Sequence, residues 1–120
     1  MRPAWEFEAV KTLLKLLFGF IFVFMVVATI RTSEQVSLWK AWPAFAENPW
    51  AMATLYDAYF GFITFFCWVA WRERALWEKL LWFVLIMALG NIAMSAYVLI
   101  QLFRLRPDEG VSGLFERRAA

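Results

Sequence analysis

The chain contains no histidine. That removes the commonest haem and transition-metal ligand, the usual base of a nucleophilic triad and the usual proton shuttle near neutral pH. Cysteine occurs once, at Cys67. No intrachain disulfide can form, and no cysteine pair exists to hold zinc or an iron–sulfur cluster. Inside an apolar run, Cys67 reads as a small apolar side chain. Charge is sparse too: charged residues are 18% of the chain and the formal net charge is +2. No basic patch is interleaved with exposed aromatics, so nucleic acid is not an expected partner. With no paired base, metal cluster or phosphate-holding acidic repeat, an enzyme is not expected either.

What is abundant is apolar. Hydrophobic residues make up 63% of the 120, with eight Trp and thirteen Phe, against roughly 45–50% in soluble domains. A chain this small buries only about two-thirds of its unfolded surface, so lipid or a large partner must cover the remainder. Three runs stand out: Leu13–Ile30, Trp50–Trp71 and Leu80–Phe103. Each is close to the ~20 residues that cross a hydrocarbon layer as a helix, the conformation lipid imposes on a spanning backbone. The expected fold is all-α, a three-helix transmembrane bundle with a short amphipathic interfacial segment between the first two spans. The first run is long for a signal peptide and "MVVATIRTS" lacks a small-x-small cleavage site, so it is expected to be retained.

The segment "RTSEQVSLWKAWPAFAENP" carries Trp39, Trp42 and Phe45 as interfacial contacts. Leu38, Trp42 and Phe45 recur at helical spacing. Pro43 argues for two short turns rather than one helix, with Ser37 capping the first. The charged turn "RERALWEK" makes the second and third spans antiparallel neighbours. Residues 107–120 form a polar tail, expected to be mobile if nothing holds it. Three crossings would place Arg2, Lys11, Lys15, Arg72, Arg74 and Lys79 on one side. Arg31, Lys40, Arg104, Arg106, Arg117 and Arg118 would then lie on the other, an even split. Charges nearest the membrane lean toward a cytoplasmic amino terminus.

The one carboxylate within the runs is Asp57, in "LYDAYFGFITFFCWVAW". An ionised group against acyl chains costs several kcal/mol, so it needs a bond, water or a counter-ion. Three crossings put Ser95 at nearly its depth, Asn91 a turn deeper and Thr29 nearer the boundary. Thr54, Asp57 and Gly61 share a helical stripe, expected to pack on Ala88, Asn91 and Ser95. Arg31 is the nearest candidate partner for Asp57 and Arg104 the second. Asp57 either pins helix register or serves proton transfer, ligand binding or the grip on a partner. Asn91 reads as an interhelical bond, with the magnesium of a chlorophyll-type pigment as the alternative.

The blocks containing "DAYFGF" and "GNIAMSAY" resemble those of a family of small, uncharacterised membrane proteins, a domain of unknown function found in bacteria and plants. The resemblance runs from about Leu16 to Arg106. It implies a compact three-span architecture, no assigned activity, and Asp57 and Asn91 as the distinctive polar positions.

These readings favour a non-catalytic accessory subunit of a larger membrane complex, of respiratory or photosynthetic type, in a bacterial inner or photosynthetic membrane. Its partners would be membrane lipids and other membrane subunits. No cofactor is certain; a carotenoid, a chlorophyll-type pigment or a lipid remains open. Two alternatives are a small oligomeric proton or solute transporter centred on Asp57 and an enzyme acting on a lipid or isoprenoid.

Overall fold

The computed structural model describes residues 4–117. Among them every regular element is helical: α1 (Ala4–Gln35), α2 (Leu38–Glu47), α3 (Pro49–Arg72), α4 (Leu76–Leu89), α5 (Asn91–Arg104) and a terminal 3-10 turn (Val111–Phe115). Arg2 and Arg118, which entered the charge count above, lie outside the described residues.

Local chemistry sets the helix ends. No proline interrupts α1. Ser37 caps α2 by accepting from the Lys40 amide at 3.2 Å. Contrary to expectation, α2 runs through Pro43 as one helix. The proline has no amide to offer the Trp39 carbonyl, a tolerable loss in a helix with no buried residue, where solvent can reach the freed group. Asn48 then caps α3, its Oδ1 accepting from the Ala51 amide at 3.1 Å, and Pro49 occupies the first turn, where its missing donor costs nothing.

The main departure from the sequence reading is the third apolar run. Leu80–Phe103 is not one helix. It breaks at Gly90 into α4 and α5, which fold back on each other as an antiparallel hairpin. Trp82 stacks edge-on against Tyr97 with centroids 4.9 Å apart, and Trp77 near the start of α4 lines the same cavity as Ile100 and Arg104 at the end of α5. In a continuous helix Trp77 and Arg104 would be about 40 Å apart. Gly90 has φ +55°, a backbone state L side chains rarely adopt, and a Cβ built there would lie 2.7 Å from the Phe62 ring. The sharp turn and the close approach to α3 both require glycine.

The hairpin stands between the two long helices. On one side α4 packs antiparallel on α3: the Tyr59 hydroxyl donates to the Met87 carbonyl at 3.0 Å, and Phe66 meets Phe83 edge-on at 5.1 Å. On the other, α5 packs extensively along α1, from Lys15 over Phe103 to the cluster joining Leu14 and Phe18 with Val98 and Leu102. Tyr97 occupies the centre, fully buried, with Phe65, Trp68 and Trp82 edge-on around it. Each such aromatic pair contributes about 0.5–1.5 kcal/mol beyond its area.

Since α4 and α5 each span only about 21 Å, the hairpin tip reaches only about the middle of α3, at Phe62. The far halves of α1 and α3, bridged by α2, project beyond it. The molecule is correspondingly long, 54 × 29 × 22 Å, and exposes 8702 Å², against roughly 6,700 Å² for a compact monomer of its mass.

Gly90→Ala should combine backbone strain with the Phe62 clash and destabilise the fold by about 2–4 kcal/mol. Thermal unfolding in mild detergent checks this. In a Phe62→Ala background the clash is gone, and only the backbone part of the penalty, about 1–2 kcal/mol, should remain.

Candidate functional site

The polar residues singled out in the sequence do not form one cluster. Thr54 is exposed, its hydroxyl donating to the Trp50 carbonyl one turn back at 2.8 Å. Thr64 on the same stripe bonds Phe60 likewise, at 2.9 Å. Ser95 is buried, but its hydroxyl bonds the Asn91 and Ile92 carbonyls of its own helix, at 2.6 and 3.2 Å. Asn91 is exposed beside the hairpin tip. Thr29 is exposed and lines a separate cavity at the junction of α1 and α2 with Ala28, Thr32 and Ser33. The stripe Thr54/Asp57/Gly61 does not pack on Ala88/Asn91/Ser95. Instead α3 meets α4 through Tyr59, Phe62 and Phe66.

Asp57 is exposed on the far half of α3, with no hydrogen bond or ion pair among the described residues. Its stripe continues down the helix to Trp68, which is covered by Tyr97 and the terminal turn. Above the hairpin tip the same face is open: a Cβ on Gly61 would meet nothing within 4 Å. Tyr56, Phe60 and Ile63 beside it are exposed apolar surface. Arg31 is exposed at the end of α1, also without a bond among the described residues. Arg104 lies beside Arg72, about 22 Å along α3 from Asp57, because α5 returns rather than crosses; it is no partner for the carboxylate. Of the interfacial trio, Trp42 and Phe45 stack with centroids 6.0 Å apart, and Trp39 is almost fully exposed.

The most highly connected polar group is one the sequence reading left in a charged turn. Arg72, at the end of α3, is only 6% exposed. Its Nε donates to Gln101 Oε1 at 2.9 Å, and its Nη1 is shared among the carbonyls of Gly113 (2.8 Å), Leu114 (3.1 Å) and Glu116 (2.8 Å). Trp68 Nε1 also donates to the Leu114 carbonyl, at 2.9 Å, and Arg117 Nε to the Trp71 carbonyl, at 2.9 Å. Thus the described part of the tail is held, folded against the bundle with Leu114 buried beside Val98 and Leu102. Gly113 allows this approach; a Cβ there would fall 2.7 Å from Glu109 Oε2 and 2.9 Å from Leu105. Lys11 ties α1 to the same end, donating to the Arg106 carbonyl at 2.8 Å. One available signal was Gln101, a polar residue inside "VLIQLF" that needs a buried partner if the segment packs.

Arg72→Met should leave the bundle helical while releasing the tail, with a loss of about 1.5–3 kcal/mol as its charge-assisted hydrogen bonds go. Hydrogen exchange checks it: protection of the amides from 113 to 116 should collapse while that of α3 persists. Asp57→Asn, by contrast, should change unfolding free energy by no more than about 0.5 kcal/mol, because no intramolecular bond is lost.

A family model described as "Protein of unknown function (DUF1475)" matches residues 9–114 of the chain. No curated protein and no solved structure matches it.

Proposed function

Since the chain belongs to that family of unknown function, we propose that it is a non-catalytic accessory subunit of a larger membrane complex, anchored by two crossings and a re-entrant hairpin. Two helices are long and apolar enough to cross: Trp5–Gln35 and Pro49–Arg72, with mean hydropathy 2.6 and 1.3. Their most apolar windows are 0% and 6% buried within the chain, unlike a soluble core helix. Trp50 and Trp71 bracket about 32 Å of α3, close to the thickness of a hydrocarbon layer.

Two crossings also change the charge balance. Lys11 and Lys15 on α1, Arg72, Arg74 and Lys79 around the α3–α4 turn, and Arg104, Arg106 and Arg117 after the hairpin share one end. Arg31 and Lys40 are the described cations at the α2 end. That asymmetry supports a cytoplasmic location for the end carrying both termini. In this reading the terminal tail and the first turns of α1 are neighbours, and α2 lies in the opposite interface with Trp39, Trp42 and Phe45 toward lipid.

The observation that carries the accessory role is Asp57. It lies about 12 Å from the start of α3, on open apolar surface, without a bond among the described residues. A carboxylate so placed in lipid needs a donor or cation from outside the chain. A second subunit meets that need and covers the apolar face in the same step. The transporter alternative has less support, because a single carboxylate with no second acidic group at another depth makes a poor relay.

Two measurements test this reading. In a Cys67→Ser background, single cysteines at Glu8 and Asp108 should be labelled from the cytoplasmic side and one at Ser37 from the opposite side. Labelling of positions 8 and 108 from opposite sides would restore three crossings and overturn the hairpin topology. Gently extracted wild-type protein should elute in a particle much larger than the monomer, and Asp57→Asn should elute alone with unchanged circular dichroism. Wild type eluting as a monomer, without a partner, would overturn the accessory role.

A further inference from the structure

At the end of the bundle where α3, α5 and the terminal turn meet is a cavity of about 430 Å³ lined by Arg72, Arg104, Leu105, Arg106, Glu109, Gly113, Glu116 and Arg117. Four arginines face two carboxylates. Glu109 is occupied: its Oε1 accepts from the Arg106 amide at 2.9 Å and lies 3.3 Å from Arg106 Nε. Arg104 is exposed and has no bond among the described residues. Arg72, forming the floor, is a buried cation whose described acceptors, one amide oxygen and three carbonyls, are all neutral. None of these neutral acceptors cancels its charge, which adds to the positive potential of the arginine-rich cavity. Guanidinium groups with free N–H pairs match the geometry of phosphate oxygens.

The position of this cavity indicates the carrier of that anion. It opens beside Trp71, the ring at the lower end of the ~32 Å apolar stretch of α3, with the Arg117 guanidinium 4.9 Å from that ring's centre. A cationic cavity at the edge of that apolar stretch suits a molecule with a phosphate head and an apolar body.

We propose that this cavity binds the phosphate of an anionic phospholipid headgroup, with Arg104 as the principal free donor and Arg72 as the buried field source. The site holds the lipid at the tail's docking point, so an occupied cavity ties the tail, α3 and α5 to the leaflet that the basic end faces. The proposal rests on the membrane reading above. The labelling experiment and the one below fail separately: two crossings with no headgroup preference would sink the cavity alone.

The full-length protein is reconstituted in nanodiscs of mixed phosphatidylglycerol and phosphatidylcholine and released for native mass spectrometry. Wild type should retain phosphatidylglycerol in preference to phosphatidylcholine. Arg104→Gln, an exposed position whose loss leaves the fold intact, should weaken that retention about tenfold, the worth of one charge-assisted hydrogen bond. Arg31→Gln at the opposite end should leave it unchanged. Equal retention of the two lipids, or equal weakening by Arg31→Gln and Arg104→Gln, would overturn the site. Inorganic phosphate displacing the lipid from wild type at matched concentration would assign the arginines to a soluble anion and overturn the lipid assignment.

Discussion

The rest of this structure depends on the reversal at Gly90. The α4–α5 sequence is apolar enough to continue straight, and a straight helix would send α5 to the α2 end. The left-handed backbone at one glycine, seated against Phe62, sends it back instead. Everything at the basic end follows from that return. Gln101 comes level with Arg72, Leu102 comes level with Leu14 and Phe18, and the chain after Arg104 emerges where Lys11 can hold it. Had α5 crossed, Arg72 would have faced no amide oxygen and the tail would have started at the wrong end to be captured.

The return also explains how a buried guanidinium is tolerated. Desolvating an arginine costs several kcal/mol, and no single neutral hydrogen bond offsets that. Arg72 meets the cost with four acceptors, three of them carbonyls from a tight 3-10 turn that would otherwise need solvent or a cap. The relation is reciprocal, since the turn has few apolar contacts of its own beyond Leu114 and Val111. Arg72 thus acts as a tether between the end of α3 and the end of the chain, reinforced by Trp68 and by Arg117 reaching back to the Trp71 carbonyl.

The parts legible in the sequence and the parts that were not divide along a physical line. Helix content, the Ser37 cap and the antiparallel pairing across "RERALWEK" depend on local chemistry, and each appears in the structure where the residues place it. The reversal at Gly90 was hidden because hydropathy counts apolar residues without registering backbone sign. A glycine inside an apolar run also reads equally well as a close-packing position, as Gly61 does. A straight third run inverts the depth scale for its residues toward the carboxyl end. It sets Arg104 near Asp57, from which about 22 Å of α3 separates it. Arg72 was missed for a different reason: its acceptors are backbone carbonyls in a segment whose composition signals mobility, and composition carries no information about which carbonyls converge.

The hairpin leaves the molecule with two unlike halves. Below the tip, α3, α4 and α5 pack around Tyr97, α1 and the terminal turn pack on α5 beside them, and the aromatic surface is used internally. Above it, α1 and α3 continue without the hairpin between them, joined only by α2, and their side chains face outward. In lipid, apolar exposure of this kind costs nothing by itself, because acyl chains solvate it as well as another helix would. Asp57 breaks that neutrality. It lies on the half that has no internal partner to offer, on the same helical stripe that Trp68 and its neighbours cover lower down. Extending that coverage upward by one more helix, supplied by another chain, would continue the packing α5 begins and give the carboxylate a polar contact. The length of the hairpin therefore determines where the chain is self-sufficient and where it is incomplete.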